Sequence, residues 1–322
     1  PEGFGRVQVY PWPEAPSDYT APADVVIEAF GCALPPLVLE ALGNTLHSCT
    51  PPPVWLNLEY LSAEWDSERN HRLPSPVMSG PAKGLTKYFF YPGFTARTGG
   101  LLGKSAQEAP VRLDDRTAWR ARFDPDAIDA SAGETWVSLF CYEPAALAQL
   151  LDALGRQPQP VRIWVTAGRS SAALEQLQAV STTDAMRTWP RISKLPFVSQ
   201  DDYDRLLRMC DLNFVRGEDS LVRAQWAARP FIWHIYPQEE GAHWPKLDAL
   251  LERYCQQLDT AAAAALRGLW HAWNQQGDVA DAWQQLCLLQ AVLCAHADNW
   301  AEYLASLGDL AANLLHFCKK IS

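Results

Sequence analysis

Cationic charge is scarce in this chain: 27 lysines and arginines stand against 37 aspartates and glutamates, a formal net charge of −10 over 322 residues. A nucleic-acid backbone binder needs a clustered cationic surface, so no nucleic-acid partner is expected. Long apolar runs are missing as well. No stretch reaches the roughly 18 uninterrupted apolar residues of a membrane helix, and no charged-then-apolar export signal opens the chain, so no membrane partner is expected. The eight cysteines (Cys32, Cys49, Cys141, Cys210, Cys255, Cys287, Cys294, Cys318) form no CxxC pair, and several sit inside apolar segments. Neither a zinc ribbon nor a disulfide scaffold is signalled, and the residues read as reduced core thiols of a cytoplasmic protein.

Missing motifs narrow the chemistry further. There is no GxGxxG after the first strand, no GxxxxGK followed by Ser or Thr, no HExxH and no GxSxG. Dinucleotide oxidoreductases, P-loop kinases, zinc proteases and α/β-hydrolases therefore lose their usual support. The chain also opens at Pro1 without a methionine and runs at once into the strand-like RVQVY of residues 6–10, so its start is expected upstream.

What is present is a composition 48% apolar and 20% charged, that of a globular enzyme, with a length suited to about two domains. Short β-branched and aromatic runs recur in the first hundred residues: RVQVY, DVVIEAF (24–30), VWLNLEY (54–60) and KYFFYPGF (87–94). Between the second and third lies PPLVLEAL (35–42), with prolines suited to a first helical turn and leucines at helical spacing. Strand–helix–strand order favours a parallel sheet. Segment 103–133 has no strong period of either kind, and the domain boundary is placed there, giving domains 1–115 and 134–322.

A second alternation follows: strands at 135–142, 161–168, 192–197, 211–217 and 230–236, helices at 144–154, 171–180, 201–210 and 220–228. From Pro245 the pattern turns all-helical, with Asp278 and Asp298 as caps and Gly268, Gly277 and Gly308 as interruptions or stops. Two Rossmann-like units of this kind place a ligand at the carboxyl ends of their strands, in the cleft between them.

The most informative stretch is NFVRGEDS (213–220), where an apolar strand ends in glycine and an amphipathic helix starts within two or three residues. Free backbone N–H groups and a partial positive charge at such a helix start bind phosphate. Arg216 adds a planar two-pronged donor suited to a diphosphate, and Glu218 an acceptor pair for sugar hydroxyls. The competing structural account has Asp219 or Ser220 capping the helix and Arg216 pairing with an acid. A nucleotide-sugar enzyme fits the junction and needs no metal. His234, in FIWHIY, reads as a core histidine, His243 as a surface one, and Glu239 and Glu240 as solvated loop acids. Trp270, Trp273, Trp283 and Trp300, among 14 tryptophans, read as packing of the helical tail.

The segments FVRGEDSLVRAQWAARPFIWHIYPQEEGAHWPKLDALL (214–251), NLEYLSAEW (57–65), ADVVIEAFGC (23–32), KYFFYPGFTARTGGLL (87–102) and VSLFCYE (137–143) closely resemble the EarP family, bacterial protein-arginine rhamnosyltransferases that modify elongation factor P. The resemblance spans nearly the whole chain. It implies a GT-B-like α/β fold, two Rossmann-like domains facing a cleft with a helical C-terminal tail. It also implies dTDP-β-L-rhamnose as co-substrate, no metal, and inversion at the anomeric carbon as the sugar passes to an arginine of elongation factor P. Carried over by motif, the nucleotide-sugar site comprises Tyr142, Phe197, Gln200, Tyr203, Arg216, Glu218, Asp219 and Ser220, with Glu218 also the catalytic candidate. For Tyr142 and Phe197, aromatics at strand ends, packing is the other account. The family opens with a strand and a DNxGD turn whose aspartates attend the acceptor arginine. No such turn occurs in these 322 residues, so its base is not named among them.

Carboxylates matter to this chemistry because a guanidinium, with a pKa above about 12, is a poor nucleophile until an acid orients it and helps a proton leave. Glu59 and Glu28 could face the acceptor; structural hydrogen bonding is the alternative role. Two other functions stay open at this stage: a non-catalytic nucleotide-sugar or elongation-factor-P binding protein, and a GT-B enzyme with another donor.

Overall fold

The structure, a computed structural model, describes residues 2–4, 7–9, 11, 23–48, 51–103, 113–125, 133–275 and 277–322. Its contacts divide the chain into two units, residues 1–103 with 306–322, and residues 104–305.

The first unit opens with an antiparallel hairpin, β1 (Glu2–Phe4) and β2 (Val7–Val9). There follow β3 (Val25–Ala29), α1 (Pro36–Ser48), β4 (Val54–Leu58), α2 (Trp65–Asn70), β5 (Pro74–Pro76) and β6 (Thr86–Phe90). The sheet order is β3–β4–β6–β5, parallel except for β5. Two prolines in β5 are tolerated because an edge strand need not donate on its outer side. Successive residues of β4 point to opposite faces. Trp55 packs with Val38 and Leu42 of α1 on one face, while Val54 and Leu56 pack on the other with Leu314, Phe317 and Cys318. Those last three belong to the C-terminal helix Leu310–Ile321, whose Phe317 ring lies 5.5 Å from Tyr88 and 5.9 Å from Phe90.

The sequence alone assigns all of 134–322 to a second domain, but this final helix covers the sheet of the first unit. Helical periodicity identifies an apolar face without naming the surface it will meet. The boundary segment also differs from expectation. It holds α3 (Leu113–Phe123), which belongs with the second unit, where buried Trp119 meets Trp164 edge-on at 6.2 Å. Charges crowd its sequence LDDRTAWRARF and leave too weak an apolar period to announce a helix.

The second unit continues with β7 (Thr135–Leu139), α4 (Leu147–Gly155), β8 (Val161–Val165), α5 (Arg169–Val180), α6 (Thr183–Arg187) and β9 (Arg191–Lys194). Then come α7 (Gln200–Met209), β10 (Leu212–Arg216), α8 (Asp219–Trp226) and β11 (Phe231–His234). All five strands are parallel, in the order β11–β10–β7–β8–β9. Helical crossovers cover such a sheet, so its strands read as nearly continuous apolar runs; every residue of β8 is buried. That includes Arg162, which Glu134 accepts at 3.0 Å and Ser193 at 2.8 Å, with Asp124 just beyond α3 as a further partner. β7 and β10 are neighbours although β8 and β9 lie between them in sequence, so crossovers leave this gap in opposite directions. Such a gap is where doubly wound sheets hold ligands. It is tied by the buried Ser138–Asn213 hydrogen bond at 2.6 Å.

The tail supplies α9 (Trp244–Tyr254), α10 (Thr260–Trp273), α11 (Val279–Cys287), α12 (Gln290–Ser306) and α13, the helix Leu310–Ile321. Asp259, Asp278 and Asp309 cap α10, α11 and α13. Asp298 is not a cap, since it lies inside α12, and Gly268 does not interrupt α10. Trp270 and Trp273 pack on the sheet as their spacing suggests: the Trp270 indole N–H donates to the Phe231 carbonyl at 3.1 Å, and Trp273 stands 4.8 Å from Phe214. Among the described residues no helix is long and apolar enough to cross a membrane.

Candidate functional site

At the carboxyl end of β10 the chain turns through Gly217, whose φ of +65° favours glycine, and enters α8 two residues later. The turn is held from both sides. Ser220 is buried, its Oγ accepts the Arg216 backbone N–H at 3.1 Å and donates to the Arg216 carbonyl, and the Trp233 indole donates to the Gly217 carbonyl at 2.9 Å. The Ser220 hydroxyl is thus occupied in closing the turn, and what it can offer outward is its backbone.

Arg216 is half-buried, its guanidinium carbon 4.4 Å from the centre of the Phe140 ring and 4.7 Å from that of Tyr142, both just beyond β7. Its Nε is buried without a hydrogen-bond partner, so the pairing with an acid that the competing structural account supposed is not what holds it. Two aromatic faces fix the guanidinium instead. Tyr142 stands 5.3 Å from both His234 and Tyr236, and its backbone N–H donates to His234 Nδ1 at 3.2 Å. Burial, with the Arg216 charge as a second cause, lowers the His234 pKa to about 4. The ring is neutral at pH 7, as a core histidine should be. Cys141, buried between these residues, is pushed up to about 12 and is no nucleophile.

Glu218 is exposed at the head of α8. Asp219 is exposed too, but its carboxylate accepts from Arg223 at 2.8 Å, and Arg223 also bonds Asp204. Tyr203 of α7 lies edge-on to Phe140 at 5.7 Å, and burial raises its hydroxyl well above the ordinary tyrosine range. It supports the ring that supports Arg216. Phe197 and Gln200 lie on the connection from β9 into α7, at the same edge of the sheet but three strands along from β10. Phe197 is 88% exposed, a large apolar ring with nothing folded over it.

The structure therefore gathers Tyr142, Tyr203, Arg216, Glu218, Asp219 and Ser220 at the β7–β10 gap and leaves Phe197 and Gln200 further along the edge. It also adds residues that sequence reasoning missed. Phe140 is one; Arg169 and Glu143, beside Tyr142, are others. A signal for Arg169 existed, since VTAGRSS repeats the strand–glycine–helix pattern of FVRGEDS. His243 differs from expectation: it is buried, with Nδ1 accepting the Gln238 N–H at 3.0 Å. Glu28 is buried in β3 and pairs with Lys87 at 3.2 Å, the structural role, while Glu59 accepts from Asn57.

A family model described as Elongation-Factor P (EF-P) rhamnosyltransferase EarP matches residues 3–319. The chain belongs to the EarP family. It is 46% identical over 323 residues to a protein-arginine rhamnosyltransferase of Pseudomonas putida, covering 97% of this chain and 82% of that one. A protein of the same description from Pseudomonas aeruginosa is 44% identical with the same coverage. A solved structure, from work on the structural basis for EarP-mediated arginine glycosylation of translation elongation factor EF-P, superposes with a TM-score of 0.59 at 36% identity, over 71% of this chain and 75% of that one. EarP membership makes this chain a glycosyltransferase, and its pair of α/β sheets, one wholly and one largely parallel, with a helical C-terminal region is the make-up of the GT-B class.

Proposed function

We propose that this EarP-family enzyme transfers rhamnose from dTDP-β-L-rhamnose to an arginine side chain of elongation factor P, with inversion. The observation that carries the donor half is the β10–Gly217–α8 junction at the sheet's switch point, with Arg216 held between two rings and Glu218 exposed beside it. Arg216 pairs with the diphosphate. Left-handed Gly217 lets the backbone approach, and the N–H groups opening α8 at Asp219 and Ser220 add donors. Exposed Phe197 offers a face to the thymine ring and Gln200 an amide to its edge. Tyr142 walls the diphosphate from the side, with Tyr203 packed behind.

The chemistry follows from charge. A guanidinium nitrogen attacks the anomeric carbon as the carbon–oxygen bond to dTDP breaks, and the electron pair leaves on the diphosphate. Arg216 and the helix start stabilise that developing charge without a metal. Glu218 holds the sugar hydroxyls and so aims the anomeric carbon; the guanidinium proton passes to a carboxylate on the acceptor side. The partner is a translation factor, so the reaction is cytoplasmic.

The first test is nucleotide choice. dTDP at about 100 times its dissociation constant should add about 2.7 kcal/mol to stability. NADH and ATP should add nothing comparable; equal shifts with all three would count against a dedicated pocket. Arg216→Lys keeps a charge but loses the planar fork, so dTDP affinity should fall with little change in Tm. Glu218→Gln should lower rhamnosyl transfer more than stability. If both residues were scaffold, the two substitutions would instead lower Tm and leave dTDP affinity alone.

A further inference from the structure

Two strand–glycine–helix junctions converge on the Tyr142 ring. One delivers Arg216 to 4.7 Å from its centre; the other, β8–Gly168–α5, delivers Arg169 to 5.7 Å. Gly168 has a φ of +86° and nothing within 4 Å of where a side chain would begin, so the space beside it is open. We propose that Arg169 is a second guanidinium for the donor's diphosphate, reaching it across Tyr142 from the side opposite in sequence to Arg216. The proposal rests on the donor site described above and deepens it.

The present ties of Arg169 favour such a role. Its ion pair with Glu143 spans 3.9 Å, with both side chains about half exposed (52% and 54%). Exposed pairs of this kind are worth between nothing and about 1 kcal/mol. A phosphate that draws Arg169 from Glu143 therefore displaces little, while the Tyr142 face keeps the side chain from wandering. Arg216, by contrast, has its Nε buried and its position fixed by two rings. The two arginines divide the work: Arg216 is a rigid socket and Arg169 an arm that closes on charge. The leaving diphosphate carries more negative charge than the bound sugar diphosphate, so a second guanidinium contributes most as the glycosidic bond breaks.

The test separates phosphate from nucleoside. dTDP, dTMP and thymidine are titrated calorimetrically into the wild type, Arg169→Ala and Arg169→Lys, with a thermal melt for each protein. Arg169→Ala should weaken dTDP about 10- to 100-fold, the loss of a charged hydrogen bond. Thymidine should be unaffected, dTMP affected less than dTDP, and Tm unchanged; Arg169→Lys should fall between. Glu143→Gln, which frees the arm, should bind dTDP at least as tightly as the wild type. Unaltered dTDP affinity in Arg169→Ala would overturn the proposal, as would parallel losses for dTDP, dTMP and thymidine, which would mark a role in shaping the nucleoside pocket. A wild type that ignores dTDP altogether would remove the donor-site reading itself, and Arg169's role with it.

Discussion

His234 ends β11 nearly fully buried, and its Nδ1 is committed to the Tyr142 backbone N–H. Burial and the nearby Arg216 hold its pKa near 4, against about 6.5 in an unfolded chain. The unfolded state therefore binds the proton first as pH falls. The stability His234 contributes is complete above pH 6.5 and is lost as pH drops from 6.5 towards 4, about 2 kcal/mol by pH 5 for one such group. His71, also lowered to about 4, by burial and Arg72, adds a loss of the same sign in the first unit. Urea melts at pH 7 and pH 5 should show the decline, and His234→Asn, which keeps an acceptor but cannot titrate, should shrink it. A pH dependence unchanged by His234→Asn would mean the ring does not titrate in this window. At this scale the sequence is readable where chemistry is local. Arg216 and Arg169 each stand beside a glycine at a strand–helix junction and so are marked in the sequence, but that both lean on the one Tyr142 ring is not, because the ring comes from another strand.

Gly217 and Gly168 make a matched pair at the scale of elements. Both are left-handed, but a side chain begun at Gly217 would lie 3.4 Å from the Tyr142 hydroxyl, ordinary contact, whereas one at Gly168 meets open space. Alanine at either position therefore carries a backbone cost rather than a clash, about 1 kcal/mol at Gly217 and about 1–3 kcal/mol at Gly168, whose φ of +86° comes with a ψ of −130° that is essentially glycine's alone. Thermal melts should show a drop for both, the larger at Gly168. Gly217→Ala should in addition weaken dTDP, because it puts a methyl where the backbone approaches the ligand. Apart from the edge strand β9, the strands of the second unit were legible because burial on both faces makes their sequences largely apolar. Their order was not. Which strand neighbours β7 is decided by the path of the crossovers, and that path has no period to read. Helix α6 escaped for the opposite reason, being only five residues long with none buried.

The arrangement of the whole chain turns on α13. Its Phe317 fills the face of the first sheet between Tyr88 and Phe90, so Phe317→Ala should cost the first unit about 3–5 kcal/mol. Hydrogen exchange should report where: protection falls in β4 and β6 and persists in β8 and β10. Equal loss in both sheets would mean that the units unfold together. That α13 serves the earlier sheet could not be read from its sequence, since Leu314 and Phe317 mark an apolar face and nothing more. Asp309 starts the helix by accepting the Ala312 N–H at 2.9 Å, and the Leu310 N–H reaches the Leu101 carbonyl at 2.8 Å, stitching sequence ends that the ribosome makes far apart in time. During synthesis, residues 104–305 emerge with everything their own sheet needs, while the sheet of β3, β4 and β6 waits, one face bare, for residues 310–321. The unit that begins first along the chain cannot complete its packing until the last helix has been made.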